Sequence, residues 1–241
     1  MNPTKLLYFD AMHRYHETAK VLEIATWDDG RMDIILDGTI LYPQGGGQPY
    51  DTGKLTSTDA EFTVQEVRFN DGIVHHIGWF VQGSFSSGDQ VMIIVDKARR
   101  DLHSRFHTAG HLVDCAFERL GIAMTPGRAY HFPDGPYVEY EGLIEGDKDE
   151  FVKKIEAEMN KIIEEKKAVS VKLADHQELA KLCKYVPDYI PKDKPSRVMI
   201  VESCAGIPCG GTHVSNTSEI GKVALKIKCK KGNTRVSYQL V

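Results

Sequence analysis

Two stretches of this sequence gather side chains that could hold a metal ion. The first, HSRFHTAGHLVDC, sets His103, His107, His111 and Cys115 at intervals of four. Residues at i and i+4 lie on one side of a helix, one turn apart, so two imidazoles placed this way can grip one ion. The whole series cannot share an ion, because each step of four over-rotates by roughly 40° and the row runs about 18 Å. Only one neighbouring pair can serve, and spacing leaves His103/His107 and His107/His111 both open. No Glu follows the first His of either pair, so the helical metalloprotease arrangement with its built-in base is absent.

The second stretch, CGGTH, places Cys209 and His213 around two glycines. Two His joined by a Cys and a third His make a sound tetrahedral set for zinc. The glycines let the backbone turn sharply between the ligands and leave room beside an ion. Cys209 is the thiol expected to bind. Cys115, Cys183 and Cys229 fall at apolar positions and read as small core residues, while Cys204 is a fallback ligand.

The elements that must carry these groups can be read from periodicity. From Lys97 to Leu120, apolar residues recur at Leu102, Phe106, Ala109, Val113, Phe117 and Leu120, which predicts one buried helical face behind an Asp96 N-cap and ahead of Gly121. Residues 1–95 read as short strands broken by turn signals such as FNDGIV, the pattern of a small barrel-like β-domain. AYHFPDGPYVEYEG predicts a hairpin about Pro133-Asp134-Gly135, with Tyr137 and Glu139 on one face and Val138 and Tyr140 on the other. A second helix is expected from about Glu150 to Lys167, with Asp147 and Glu150 at capping-box spacing, and a third after Asp175, with Glu178 at the matching position. The chain closes in strands. In KVALKIKCKK, Leu225, Ile227 and Cys229 face one way and Lys226, Lys228 and Lys230 the other. The fold class is therefore α+β: a β-rich, barrel-like domain over 1–95, then a two-layer domain of helices on an antiparallel sheet over 96–241.

Bulk properties bound the function classes. The chain has 241 residues, 41% hydrophobic and 27% charged, as a soluble globular protein does. No apolar run approaches a membrane span, and the N-terminus has no apolar h-region. Five cysteines, an odd number without disulfide-like spacing, favour a reducing, cytoplasmic setting. A net charge of −4 argues against a generic basic nucleic-acid binder. It leaves room for local basic surfaces, and two exist: Lys97, Arg99, Arg100 and Arg105, and Lys222, Lys226, Lys228, Lys230, Lys231 and Arg235.

HTAGH followed about a hundred residues later by CGGTH resembles the editing domain of alanyl-tRNA synthetase, and more closely the free-standing alanyl-tRNA editing proteins of the AlaX type. TILYPQGGGQPYDTG, residues 39–53, resembles the glycine-rich motif carried by the longer AlaX proteins and by the synthetase. HFPDGPYVEYEG looks more like the free-standing proteins than the synthetase. There are departures. Gly110 stands where many synthetases have Thr, although a Gly inside a helix costs about 1 kcal/mol against Ala. MTPGRAY replaces a stretch that in synthetases often carries a Gln. With no room for a class II aminoacylation core, the expectation is a trans-acting editor.

The resemblance implies hydrolysis of the ester joining a wrong amino acid to tRNA(Ala), chiefly Ser-tRNA(Ala), with Gly-tRNA(Ala) second. It implies one zinc ion on His107, His111, Cys209 and His213, and Thr39 as the group meeting the serine side chain. The general base is not assigned. Gly45, Gly46, Gly47 and Gln48 are expected to form a loop that docks against the zinc domain and shapes the pocket or orients the tRNA end. Arg99, Arg100, Lys226, Lys228 and Lys230 are the candidate tRNA contacts. No membrane and no protein partner is expected. Two other readings compete: a zinc-stapled RNA-binding module without catalysis, and a deacylase for another mischarged tRNA such as Ser-tRNA(Thr). The editing domain of threonyl-tRNA synthetase shares both metal half-motifs, but the glycine-rich motif favours the alanine system.

Overall fold

The computed structural model describes residues 2–27 and 29–241, which form two compact units. The first comprises the chain up to Gly45 together with Pro49–Leu102; the second comprises Gly46–Gln48 and His103–Val241. The division falls inside a helix, and the tip of the glycine-rich segment groups with the second unit.

In the first unit a short parallel pair, β1 (Lys5–Leu6) and β4 (Gly38–Thr39), accompanies six strands that close into a barrel. They are β2 (His16–Thr26), β3 (Met32–Leu36), β5 (Gly53–Thr56), β6 (Glu61–Asn70), β7 (Ile73–Gln82) and β8 (Gln90–Val95), in the spatial order β2-β3-β7-β6-β5-β8. Period-two patterning fills the interior: Val91, Ile93 and Val95 of β8 are buried while Gln90 and Met92 are exposed. A bulge between Val64 and Glu66 shifts the phase of β6, so that Val67 is buried and Glu66 is not. Asp71 and Gly72, both at positive φ, make the two-residue turn of the β6–β7 hairpin signalled by FNDGIV.

The first turn of α1 (Lys97–Arg119) belongs to this unit. Asp96 caps it by accepting from the Arg99 N–H. Arg100 is 1% exposed; its guanidinium holds Asp51 and donates to the carbonyls of Met12 (2.9 Å) and Ile40 (2.6 Å). This corrects its assignment as a tRNA contact: Arg100 is a buried ion-pair partner with no charge to offer a phosphate. Leu102, expected on the buried helical face, is exposed.

In the second unit the remainder of α1 and α2 (Lys148–Glu164) pack on a four-stranded antiparallel sheet. Its strands are β9 (Thr125–Tyr130), β10 (Tyr137–Glu141), β14 (Val223–Lys230) and β15 (Asn233–Leu240), ordered β14-β15-β10-β9. A smaller antiparallel sheet, β11 (Val169–Ala174), β12 (Ser196–Val201) and β13 (Ile207–Pro208), completes the α+β architecture. Asp147 caps α2, and Asp175 with Glu178 forms a full capping box on α3 (His176–Leu182). Phe106, Leu112, Val113, Ile155, Met159 and Val236 are central to one core.

Cys115 of α1 and Cys204, after β12, bring their sulfurs into bonding contact with Cα atoms 5.7 Å apart, within the span of a disulfide. That corrects the reading of Cys204 as a fallback metal ligand. It also shows why linear spacing revealed no pair: the partners are 89 residues apart.

Candidate metal centre

α1 sets His107 and His111 one turn apart, and the loop after β13 delivers Cys209 and His213 to them. One ligand atom from each of the four lies within 4.8 Å of all the others. Tetrahedral zinc with N and S ligands has edges of about 3.3–3.8 Å, so modest contraction closes this set on an ion. Of the two helical pairs that spacing allowed, only His107/His111 belongs to the cluster.

The loop is held from below by Arg197 of β12. Its guanidinium donates to the carbonyls of Cys209 (3.0 Å) and Gly211 (2.6 Å), and its own carbonyl accepts from the Cys209 N–H (2.9 Å). Gly211 can carry no side chain, because a Cβ there would sit 2.1 Å from His107 Cε1.

Two of the three imidazoles are held by a hydrogen bond at Nδ1, and the third turns Nδ1 toward a carboxylate. His107 Nδ1 lies 2.7 Å from Gln48 Oε1. His213 Nδ1 lies 3.3 Å from Thr108 Oγ1, whose hydrogen goes to the Ser104 carbonyl, so the histidine is the donor. His111 Nδ1 faces Asp114 at 3.9 Å. All three rings thus turn Nε2 to the cluster. His107 Nε2 is 3.4 Å from Cys209 Sγ, and His111 Nε2 is buried without a hydrogen-bond partner among the described residues. A buried, unpartnered imidazole nitrogen beside a thiol is a donor suited to a metal ion.

The electrostatics agree. Burial, reinforced by the neighbouring imidazoles, pushes His107 well below the usual histidine range. Burial acts against the charged form of His111 as well, but Cys209 and Asp114 overcome it and raise its pKa to about 9. Burial likewise opposes the Cys209 thiolate, yet His111, the Gly211 N–H and Arg197 pull its pKa down. The pocket therefore favours a thiolate beside a cation, and a divalent ion is the stronger cation.

His131 opens the HFPDGPYVEYEG stretch, and spacing assigns it no role. It stacks on His107 with ring centroids 4.4 Å apart, and its Nδ1 lies 2.6 Å from Tyr238 Oη. Tyr238 donates its own hydrogen to the Phe106 carbonyl (3.0 Å), so His131 is the donor of that pair. This explains Gly110: a Cβ there would stand 2.4 Å from the His131 ring and 2.8 Å from Tyr238 Oη. The missing side chain is the space His131 occupies.

The other expected site residues are dispersed. Thr39 is fully buried in the barrel unit, accepting from the Leu41 N–H and donating to His76 Nε2. Gly45 lies in that unit too, its carbonyl held by Tyr42 Oη, whereas Gly46, Gly47 and Gln48 lie in the second. Arg99 donates to the Tyr50 carbonyl and stacks over its ring. Lys226, Lys228 and Lys230 are all exposed along β14.

Comparison with known proteins adds to this geometry. A family model described as tRNA synthetases class II (A) matches residues 9–99, and one described as the threonyl and alanyl tRNA synthetase second additional domain matches residues 201–237. The alanyl-tRNA editing protein AlaX-M of Methanosarcina barkeri is 36% identical over 218 residues, covering 86% of this chain and 88% of its own. That of Methanosarcina acetivorans is 33% identical, with 99% of both chains covered. The chain belongs to the AlaX family of alanyl-tRNA editing proteins. The alanine–tRNA ligase of Halobacterium salinarum is 32% identical across 92% of this chain but only 24% of its own length, so the likeness to ligases is confined to one portion of them. Within this AlaX chain, the second matched segment carries Cys209 and His213 together with the β14 lysines. No helix among the described residues is long and apolar enough to cross a membrane.

Proposed function

We propose that this protein is a trans-acting aminoacyl-tRNA deacylase that hydrolyses the ester of mischarged tRNA(Ala), chiefly Ser-tRNA(Ala) and secondly Gly-tRNA(Ala), in the cytoplasm. The observation that carries this reading is a three-histidine, one-cysteine cluster, with His107 and His213 buried and His111 and Cys209 partly so, in a chain aligned nearly end to end with AlaX-M editing proteins. One zinc ion on His107, His111, Cys209 and His213 supplies Lewis acidity toward an ester carbonyl or a water. The protein's own groups do the rest. Gln48 and Thr108 orient His107 and His213, Asp114 sets a carboxylate beside His111, and Arg197 holds the ligand loop.

Selection against alanine rests on one hydroxyl. A site built to bond the serine hydroxyl leaves polar groups unpaired when alanine enters, which discriminates strongly. Thr39 is assigned to that contact through the lone pair left on its oxygen, on the strength of the TILYPQGGGQP resemblance. The tRNA grip is assigned to Arg99 and to Lys226, Lys228 and Lys230. Beside those lysines the sheet bears an aromatic row. Tyr130 stacks on Phe132 at 4.4 Å and on Tyr137 at 5.8 Å, and Arg235 lies 3.8 Å over Tyr137. Tyr137, Ser237 and Lys226 are in register across three strands, so rings and cations share one face. Rings beside cations suit an unpaired RNA end.

The test is hydrolysis of Ser-tRNA(Ala), Ala-tRNA(Ala) and Ser-tRNA(Thr) by wild type and by Cys209→Ala. Ser-tRNA(Ala) should be cleaved, Ala-tRNA(Ala) spared and the variant inactive. Hydrolysis of none would leave the non-catalytic RNA-binding module as the reading, and selective cleavage of Ser-tRNA(Thr) would move the substrate to the threonine system.

A further inference from the structure

We infer that Gln48 is a positioning residue of the metal centre: its side-chain amide selects the metal-binding tautomer of His107 and fastens the ligand loop to the ligand helix. The inference rests on reading His107, His111, Cys209 and His213 as zinc ligands. It differs from the expectation that the glycine-rich segment shapes the substrate pocket.

Backbone chemistry fixes the orientation of the Gln48 amide. The Thr212 backbone N–H can only donate, and it lies 2.9 Å from one terminal atom of Gln48. That atom must therefore be the amide oxygen, Oε1. The other terminal atom is then the NH2, and it donates to Thr212 Oγ1 at 2.9 Å. The reverse orientation would set NH2 against N–H. Oε1 also lies 2.7 Å from His107 Nδ1. An amide oxygen accepts only, so Nδ1 must carry the proton. The lone pair of His107 is thereby confined to Nε2, the nitrogen beside Cys209 Sγ.

Gln48 is fully buried, so no water competes for these bonds. Its reach spans both halves of the site. One oxygen holds a ligand on α1 and the residue preceding the ligand His213, and Thr212 Oγ1 continues to Ser104 Oγ at 2.8 Å, back on the helix. The glycines acquire a role from this. Gly47 has φ +78, and a Cβ on it would lie 2.7 Å from the Ala129 carbonyl; its own carbonyl accepts from the His131 N–H at 2.8 Å. A Cβ on Gly211 would lie 2.8 Å from Gln48 Oε1. Bare backbone on both sides is what lets the amide arrive.

The experiment uses the full chain, stripped of metal and titrated with zinc alone against a chromophoric chelator. Gln48→Leu, which keeps bulk but offers no acceptor, should weaken zinc binding about 10- to 100-fold, the range for removing a partner that orients a ligand. Gln48→Glu, which restores an acceptor, should recover most of that loss. In wild-type metal-free protein, long-range 1H–15N correlation should show His107 protonated on Nδ1. A Gln48→Leu protein that folds and binds zinc within twofold of wild type overturns the inference, as does a wild-type His107 protonated on Nε2. The tautomer measurement decides the matter if Gln48→Leu does not fold. Failure of the wild type to bind zinc at all would strike the metal reading itself, a result distinct from equal binding by wild type and variant.

Discussion

In the barrel unit His76 is fully buried, donating from Nδ1 to the Ile34 carbonyl (2.8 Å) and accepting at Nε2 from Thr39 Oγ1 (2.9 Å). In the second unit His111 also has its Nε2 buried, yet that nitrogen meets no hydrogen-bond partner among the described residues. The same contrast runs through the charges. Arg100 and Asp51 saturate one another and the carbonyls around them, whereas Cys209 and His111 form a pair that a cation would complete. Burial of polar groups is common to both units. Polar groups that satisfy one another hold the fold, whereas a convergent set of imidazoles and a thiolate suits a cation.

The largest expected effect tests the histidine–cysteine cluster. Cys209→Ala should lose stoichiometric zinc and bring hydrolysis of Ser-tRNA(Ala) to background, read by metal analysis and a deacylation time course. In the metal-free proteins the variant should cost little stability, because the thiol's contacts are long, 3.4 Å to the Gly211 N–H and 3.4 Å to His107 Nε2. A variant that keeps full zinc and activity would break the comparison on its functional side.

The Arg100–Asp51 pair should behave in the opposite way. Arg100→Met leaves Asp51 as an uncompensated buried charge, a loss of about 3–5 kcal/mol. Urea unfolding should show it, and Arg100→Met/Asp51→Leu should recover most of it. If Arg100 gripped tRNA instead, the single variant would lose binding and keep its stability.

The pH dependence sharpens the same point. Burial lowers His76 from 6.5 to about 4 in the folded chain. The unfolded chain therefore binds the extra proton first, so stability is fully present above about pH 6.5 and declines as pH falls toward 4. The loss across that window is about 3 kcal/mol at roughly 1.4 kcal/mol per unit. Comparing wild type with His76→Gln, which keeps one donor and one acceptor, isolates it: the variant's curve should be flatter by that amount.

Gly110→Ala is a smaller test, inside the second unit. Helix propensity alone predicts a gain of about 1 kcal/mol. Overpacking against His131 and Tyr238 should outweigh it, for a net loss of about 1 kcal/mol in thermal unfolding. A stabilised variant would show that His131 does not need the space.

The helices, the capping residues Asp96, Asp147 and Asp175, and both halves of the metal cluster were legible because each depends on residues close in sequence. Periodicity marks a helical face, and ligands four apart reveal themselves on it. What escaped depends on distant partners. Arg100 sits in a run of basic residues, and nothing local distinguishes it from Lys97; only Asp51, 49 residues away, makes it a core residue. Gln48 reads as the end of a glycine loop until it meets His107. Leu102 keeps the helical period yet is exposed, which periodicity alone does not reveal.

The exposed lysines of β14 set the smallest energies and the hardest test, because an exposed charge is a solvated face by default. Lys226, Lys228 and Lys230 alternate with partly buried Ile227 and Cys229, which amphipathic patterning explains without any ligand. What that patterning does not require is the row of Tyr130, Phe132 and Tyr137 beside them. If this face grips RNA, Lys226→Glu/Lys228→Glu should weaken binding of tRNA(Ala) and reduce the slope of log affinity against log salt by roughly one for each phosphate no longer neutralised. Zinc content should not change, since neither lysine belongs to the metal cluster. Tyr137→Ala should weaken binding while leaving the slope intact, because stacking releases no counterions. Loss of affinity with an unchanged slope in the lysine variant would mean that the charges act through the fold and not on the phosphates. No change in either would return the strand to a solvated edge and leave Arg99 as the cation to test next.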